Sequence, residues 1–282
     1  MFKILSNEMI AENIYKMDIL APRVAKSAKP GQFIIVRVDD KGERVPLTIS
    51  DFDSERGSVQ IVVQALGHST KKLVSLGSGE FVKDFAGPLG NASDFISEDF
   101  ELLRNKKVVF VGGGVGAAPV YPQVKFFSDL GICTDVVLGF KNENFVILKN
   151  EFESLNANVH FCTDDGSFGF KGLVTDKLEE LIKSKNIDIV VTIGPMIMMK
   201  FVAELTKKYD IKTIASLNTL MVDGTGMCGG CRVSVNDEIK FTCVDGPEFD
   251  AHLVDFDEAM SRQSTYKEEE NHKCRLDGDL NV

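Results

Sequence analysis

The chain has 282 residues, 44% of them apolar and 26% charged, which points to about two domains with a sizeable core and excludes a disordered or staple-dependent protein. Thirty-two basic residues stand against 42 acidic ones, and the net charge of −10 repels a phosphate backbone, so nucleic acid is not an expected partner. No apolar run approaches the roughly 20 residues of a bilayer span, and Met1-Phe2-Lys3-Ile4 leads into Ser6-Asn7-Glu8 rather than an apolar signal segment, so no membrane association and a cytoplasmic location are expected.

Residues 1–100 read as short strands. Tyr15, Met17 and Ile19 alternate with Lys16 and Asp18, residues 32–38 are β-rich, and residues 58–66 make another apolar strand. Pro30-Gly31, Asp39-Asp40-Lys41-Gly42 and Glu55-Arg56-Gly57 mark turns. An antiparallel barrel or sandwich is predicted, with a single short helix after Gly67 capped by Ser69 or Thr70.

From Lys106 strands and helices alternate. Strands are predicted at 108–111, 135–138, 159–162, 187–193 and 212–216, and helices at 117–130, 173–185 and 196–209. Such alternation builds a parallel, doubly wound sheet whose ligands sit beyond the carboxyl ends of its strands. After Leu217 comes a loop-rich segment, then a polar tail from Arg262, with no internal repeat or low-complexity tract. The expected division is a β-barrel over 1–100, an α/β domain over 101–220 and a C-terminal segment over 221–282.

Three groups of residues bear on chemistry. In the first, Gly112-Gly113-Gly114-Val115-Gly116-Ala117 follows a strand and opens a helix. In that context G-x-G-x-x-A lets backbone amides approach a pyrophosphate at a helix N-terminus. A tight strand-to-helix turn would look the same. The acidic ribose ligand of a strict Rossmann site is replaced by Gly139-Phe140-Lys141. Thr163-Asp164-Asp165 and Gly194-Pro195-Met196 end two further strands on the same edge, which favours the nucleotide reading.

The second group is cysteine-based. Six cysteines are too few for a disulfide scaffold of this length. Cys228, Cys231 and Cys243 lie close together, and clustered thiols in a reducing compartment suggest a metal centre first. Cys228-Gly229-Gly230-Cys231 lets two thiolates converge, and Cys243 can close the other side. Plant-type [2Fe–2S] spacing is C-x4-C-x2-C…C, and the position of its first cysteine holds Asp223, which could ligate iron through oxygen. A zinc site of Cys228, Cys231, Cys243 and His252 also fits the spacing. Cys133 and Cys162, in or beside apolar strands, are expected in the core, and Cys274, in the polar tail, is expected to be a free thiol.

The third group is Arg44-Val45-Pro46-Leu47-Thr48, followed by Val62-Val63-Gln64 and Gly67-His68-Ser69-Thr70. Alone these are a charged strand end and a capped helix. Beside a nucleotide domain, an arginine and a helix start make a cradle for pyrophosphate.

The phrases R-x-P-L-T, G-x-S-T, Gly87-Pro88-Leu89-Gly90, GGGxGxAP and the G-P-M turn resemble the ferredoxin–NADP⁺ reductase superfamily. The terminal D-x4-C-x2-C-x11-C with Val244-Asp245-Gly246-Pro247 resembles its electron-transfer-subunit branch. Two kinds of member are similar. One is the electron-transfer subunit of dihydroorotate dehydrogenase, whose cluster normally has four cysteines. The other is the small subunit of NADH-dependent ferredoxin:NADP⁺ oxidoreductase, an electron-bifurcating flavoenzyme in which an aspartate is the first cluster ligand. Asp223, the phrase Glu43-Arg44-Val45-Pro46-Leu47-Thr48 and the stretch from Phe249 to Phe256 favour the second.

The resemblance implies FAD held by Arg44, Pro46, Leu47 and Thr48, contacted through backbone at Val62, Val63 and Gln64, with phosphate at Ser69 and Thr70. The tyrosine that stacks on the flavin in plant-type reductases is missing. NAD(H) would lie along Gly113, Gly114 and Gly116, near Asp164, Asp165 and Gly194; the two aspartates would repel a 2′-phosphate, whereas Lys141 argues for one. A [2Fe–2S] cluster on Asp223, Cys228, Cys231 and Cys243 would receive backbone amides from Gly224, Gly226, Gly229 and Gly230, raising its potential. The flavin would stand between two-electron hydride chemistry and one-electron cluster chemistry, with no acid–base or nucleophilic catalytic residue. The implied partner is a larger flavin and iron–sulfur subunit, with ferredoxin reached through it. A zinc-stabilised nucleotide-binding regulatory module is the reading from a different class.

Overall fold

The computed structural model describes residues 1–266 and residue 269; Cys274 lies outside the described residues. Strands β1 (Phe2–Ala11), β2 (Ile14–Leu20), β3 (Phe33–Arg37), β4 (Val45–Asp53), β5 (Ser58–Gln64), β6 (Phe81–Val82) and β7 (Asp84–Leu89) form an antiparallel sheet in the order β6-β1-β2-β5-β4-β3-β7, which wraps into a nearly closed barrel. Met17 and Ile19 of β2 point into its core, as their alternation predicts.

Strand β3 is apolar on both faces for a reason. Ile34 and Val36 fill the barrel, while Phe33 and Ile35 turn outward into a separate core shared with Met221, Cys231 and Cys243. The cysteine-bearing segment therefore packs on the outside of the barrel. Gly224 makes this close approach possible: its φ is +76°, and an added Cβ would lie 2.5 Å from Ile35 Cδ1.

The barrel carries two helices where one was expected. Helix α1 (Pro22–Ser27) starts on a proline, whose fixed φ suits a first helical position. Helix α2 (His68–Val74) is capped by Gly67 rather than by Ser69 or Thr70; Thr70 sits a turn later, and its hydroxyl accepts from the N–H of Gly67 at 3.1 Å.

Beyond α3 (Phe100–Arg104) the expected alternation follows. Its elements are β8 (Val108–Gly113), α4 (Ala117–Asp129), β9 (Thr134–Phe140), α5 (Lys149–Glu153), β10 (Ala157–Thr163), β11 (Phe170–Lys171), α6 (Val174–Ser184), β12 (Ile189–Ile193), α7 (Met196–Lys207) and β13 (Lys212–Ser216). After a hairpin of β14 (Arg232–Val235) and β15 (Glu238–Phe241) come β16 (Glu248–Asp250) and α8 (Phe256–Gln263).

The second sheet runs β11-β10-β9-β8-β12-β13-β16, parallel except for β16, which adds antiparallel to β13. The C-terminal segment is thus tied into the α/β sheet as well as packed on the barrel. The strand order reverses beside β8, the place where open α/β sheets bind ligands. Helices α4 and α5 cover the face toward the barrel, whose Ile14 and Val62 join that core; α6 and α7 cover the other. Lys125 on α4 reaches both oxygens of Asp51 on β4 at 2.9 Å, clamping barrel to sheet. Cys162 is buried as expected, but Cys133 is exposed, because it falls in the loop between α4 and β9. Among the described residues no helix is long and apolar enough to cross a membrane.

Candidate functional site

Two cavities open at the carboxyl edge of the parallel sheet and meet at the glycine turn. One, of about 580 Å³, lies between barrel and sheet. Pro46, Leu47, Thr48, Val62 and Gln64 line it from the barrel, Gly113, Gly114, Gly116 and Gly194 from the sheet, and Asn218, Met221, Met260 and Gln263 from the C-terminal segment. The other, of about 720 Å³, lies between α6 and α7 and includes Gly113, Gly114, Gly139, Lys141, Asp164 and Phe201. Gly113 and Gly114 border both, so a dinucleotide laid over the turn can reach from one cavity into the other.

The glycines are needed for different reasons. A Cβ on Gly116 would stand 2.3 Å from the carbonyl oxygen of Ile193, whereas one on Gly114 meets nothing within 4 Å. Gly116 lets the helix start pack on β12, and Gly114 leaves open space above the turn.

Several expected residues have partners within the protein itself. The Val63 side chain points into the barrel core, so only its backbone can face the cavity, as the expected backbone contact requires. The Ser69 hydroxyl bonds Glu43, and Thr70 serves α2; neither lines the cavity. Arg44, at the edge of β4, donates from Nε to the carbonyl of Val222 at 2.8 Å and from Nη2 to the carbonyl of Asp223 at 3.0 Å. Its partners are in the cysteine segment, a link across the chain that no local pattern signals. Asp165 turns back on its own loop, accepting from the Ser167 hydroxyl at 2.7 Å and the Ser167 amide at 2.9 Å, so that Ser167 holds its carboxyl below the usual range.

The four expected ligand residues fall into two pairs. The Cys231 and Cys243 sulfurs are 3.1 Å apart and buried; burial, then the Cys231 neighbour, pushes the Cys243 thiol up to about 12. Cys228, exposed, hydrogen-bonds Asp223. Thr225 donates its amide to Asp223 Oδ1 at 2.6 Å and, with Cys228, keeps that carboxyl below its ordinary range. The Gly230 amide points at Cys228 Sγ at 3.4 Å and Gly226 bonds Cys243, so two of the four glycines named from sequence donate to sulfur.

Two pairs of donors suit a binuclear cluster, with two protein ligands per iron. A single zinc ion needs four donors around one point. Among the described residues no three His, Cys, Asp or Glu side chains make such a group, and His252 bonds the Thr206 hydroxyl on α7 at 3.0 Å instead.

Sequence patterns did not single out Glu248. It is half-buried at the end of the barrel, where its Oε1 accepts from the Ser93 hydroxyl at 2.7 Å and from Gln123 Nε2 at 2.9 Å. Burial, together with nearby Asp94, pushes its carboxyl up to about 7 against those two hydrogen bonds.

A near-closed antiparallel barrel, a doubly wound sheet with a glycine turn and a paired-thiol segment define a flavin-dependent oxidoreductase of the ferredoxin–NADP⁺ reductase type. Residues 218–255 match the model of the iron–sulfur cluster binding domain of dihydroorotate dehydrogenase B. The chain is 42% identical to the dihydroorotate dehydrogenase B (NAD⁺) electron transfer subunit homolog of Thermotoga maritima, over 95% of this chain and 92% of that one. It is 56% identical to an uncharacterized protein from the adh 3′ region of Clostridium beijerinckii, over 98% of this chain and 94% of the other. A chain of the NADH-dependent reduced ferredoxin–NADP oxidoreductase structure, solved for insight into flavin-based electron bifurcation, is 40% identical with a TM-score of 0.89, covering 96% of this chain and 95% of that one. The chain belongs to the family of dihydroorotate dehydrogenase B electron transfer subunits, oxidoreductases whose cofactors are FAD, an iron–sulfur cluster and NAD(H).

Proposed function

We propose that the chain is the small subunit of an electron-bifurcating NADH-dependent ferredoxin:NADP⁺ oxidoreductase. It exchanges hydride with NAD(H) at FAD and passes electrons through a [2Fe–2S] cluster to a larger flavin and iron–sulfur subunit, and through that subunit to ferredoxin. The observation that carries this reading is Asp223, hydrogen-bonded by Cys228 at the position where a four-cysteine cluster would have its first thiolate. The likeness to the bifurcating oxidoreductase supports it.

In this reading the cavity between barrel and sheet takes the flavin against Pro46, Leu47, Thr48, Val62 and Gln64. NAD(H) crosses the turn at Gly113, Gly114 and Gly116 beside Gly194, and its adenosine half enters the second cavity near Asp164. Asp223 with Cys228 holds one iron, and Cys231 with Cys243 the other. Domain limits at about residues 100 and 220 and a cytoplasmic location, where the thiols stay reduced, complete the proposal.

The family names favour a second reading, the electron-transfer subunit of an NAD-dependent dihydroorotate dehydrogenase. The mass of the subunit that co-purifies separates the two: a larger two-flavin, cluster-bearing reductase supports the first, and a TIM-barrel FMN enzyme the second. Anaerobically purified protein is expected to show flavin and sulfur-to-iron charge-transfer bands, both bleached by NADH. A colourless protein containing only zinc would overturn both readings and leave a zinc-stabilised nucleotide-binding module.

A further inference from the structure

The cavity assigned to the flavin and the core around the buried cysteine pair share two residues. Phe33 and Met221 both line the cavity, and both pack in one cluster with Cys231 and Cys243. Each is nearly inaccessible, Phe33 at 3% and Met221 at 6%, as are Cys231 at 1% and Cys243 at 2%. Two side chains that solvent barely reaches therefore join the cavity wall to the core that holds the buried thiols. Cys228, by contrast, is exposed, and Met227 beside it is 86% exposed.

The spacing of this path is fixed from both ends. Arg44 holds the carbonyls of Val222 and Asp223, and Asn91 in the loop after β7 donates its side chain to the carbonyl of Val244 at 3.1 Å and its backbone N–H to that of Gly246 at 2.7 Å. The ring of Phe33 is pressed between Gly90 and its surroundings so closely that a Cβ on Gly90 would lie 2.8 Å from it.

Building on the FAD and [2Fe–2S] reading, we infer that Met221, backed by Phe33, is the packed bridge by which electrons cross between flavin and cluster. Cys231 and Cys243 would then hold the iron on the buried side, next to the residues lining the cavity, and Asp223 and Cys228 would hold the outer one. The electrons balance with reagents already named. NADH gives a hydride to FAD, which takes a proton from solvent; the reduced flavin then returns two electrons singly and releases two protons. Each electron reduces one ferric ion of the cluster and leaves for a one-electron acceptor, ferricyanide in the assay. The sum is one NADH and two ferricyanides giving NAD⁺, one proton and two ferrocyanides.

The test is anaerobic stopped-flow of the holoprotein with NADH, following flavin and cluster absorbance separately and normalised to iron and FAD content. In Met221→Ala the ratio of cluster reduction to flavin bleaching, both read in the same variant, is expected to fall about tenfold, because a void lacks the contacting atoms that Met221 supplies. Leu89→Ala opens a similar hole in the same core without touching the cavity; it should lower thermal stability and leave cluster reduction unchanged. Where Met221→Ala does not keep its cofactors, Met221→Val and Phe33→Leu give the same comparison with a smaller slowing. A wild-type ratio of cluster reduction to flavin bleaching in a loaded variant of Met221 and of Phe33 would overturn the bridge. Wild-type protein without flavin or cluster bands would instead overturn the reading on which the bridge rests.

Discussion

The guanidinium of Arg44 donates to the backbone carbonyl of Asp223 at 3.0 Å, joining the edge of a barrel strand to the loop that carries the proposed first cluster ligand. With the second bond to Val222, it fixes two peptide groups of that loop. Each bond to a charged donor is worth about 1.5–3 kcal/mol when sheltered and less at an exposed arginine. Arg44→Ala is therefore expected to keep FAD while losing iron faster on challenge with a chelator. Arg44→Lys should not restore retention, since an ammonium cannot present two donors in a fixed fork. FAD loss with normal iron retention would instead return Arg44 to the pyrophosphate.

The glycine turn separates folding from binding. Gly116→Ala drives a Cβ to 2.3 Å from a backbone oxygen, which only backbone movement relieves, so its melting temperature should fall well below that of wild type. Gly114→Ala meets empty space and carries only the cost of a positive φ, about 1 kcal/mol. It should stay folded, and isothermal titration should show weakened NADH binding. Unchanged affinity would mean that the space above Gly114 is not used by the dinucleotide.

Asp164 and Asp165 are adjacent in sequence but not in role. Only Asp164 lines the second cavity, while Asp165 is engaged by Ser167. Asp164→Ala should raise the kcat/KM for NADPH relative to NADH, because a negative charge facing the 2′-phosphate is removed. Asp165→Ala should leave that ratio near its starting value and loosen the turn.

Glu248 makes stability depend on pH in the sense opposite to a salt-bridged carboxylate. Its carboxyl, ordinarily near 4.5, is pushed up to about 7 by burial. Between those values the unfolded chain releases a proton that the folded chain keeps, so stability falls as pH rises through the window and levels off above it. The contribution, fully present below about 4.5, is at most about 3 kcal/mol. Glu248→Gln retains the accepting oxygen used by Ser93 and Gln123 and should flatten the profile. Thermal melts from pH 5 to pH 8 check this, with an unaltered slope in the variant as the contrary result.

Local patterns carried far in the α/β half. The strand predicted at 212–216 coincides with β13, and the helix at 117–130 ends one residue beyond α4, because β8, β12 and β13 are buried along most of their length and α4 opens directly on the glycine turn. Less was legible where distant segments meet. The outward face of β3 is apolar because of Met221 and the cysteines, and β16 exists as a three-residue strand only because β13 offers an edge. Arg44 fits a pyrophosphate cradle in sequence, and no local pattern signals the two carbonyls it bonds 178 and 179 positions away. Glu248 drew no attention because a glutamate is normally exposed. Cys133 is exposed against expectation because residues flanking a strand carry no periodic mark of burial. For the candidate cluster the spacing gave the four residues, and only the fold divided them into a buried pair and an outer pair.

The central claim is that an aspartate completes the cluster ligand set. Iron and acid-labile sulfide per chain, measured on anaerobically purified Asp223→Ala with FAD quantified in the same sample, test it most directly. The account predicts FAD at the wild-type level with iron and sulfide substantially reduced. Full iron and sulfide, with the reduced cluster's electron paramagnetic resonance spectrum unchanged, would contradict it.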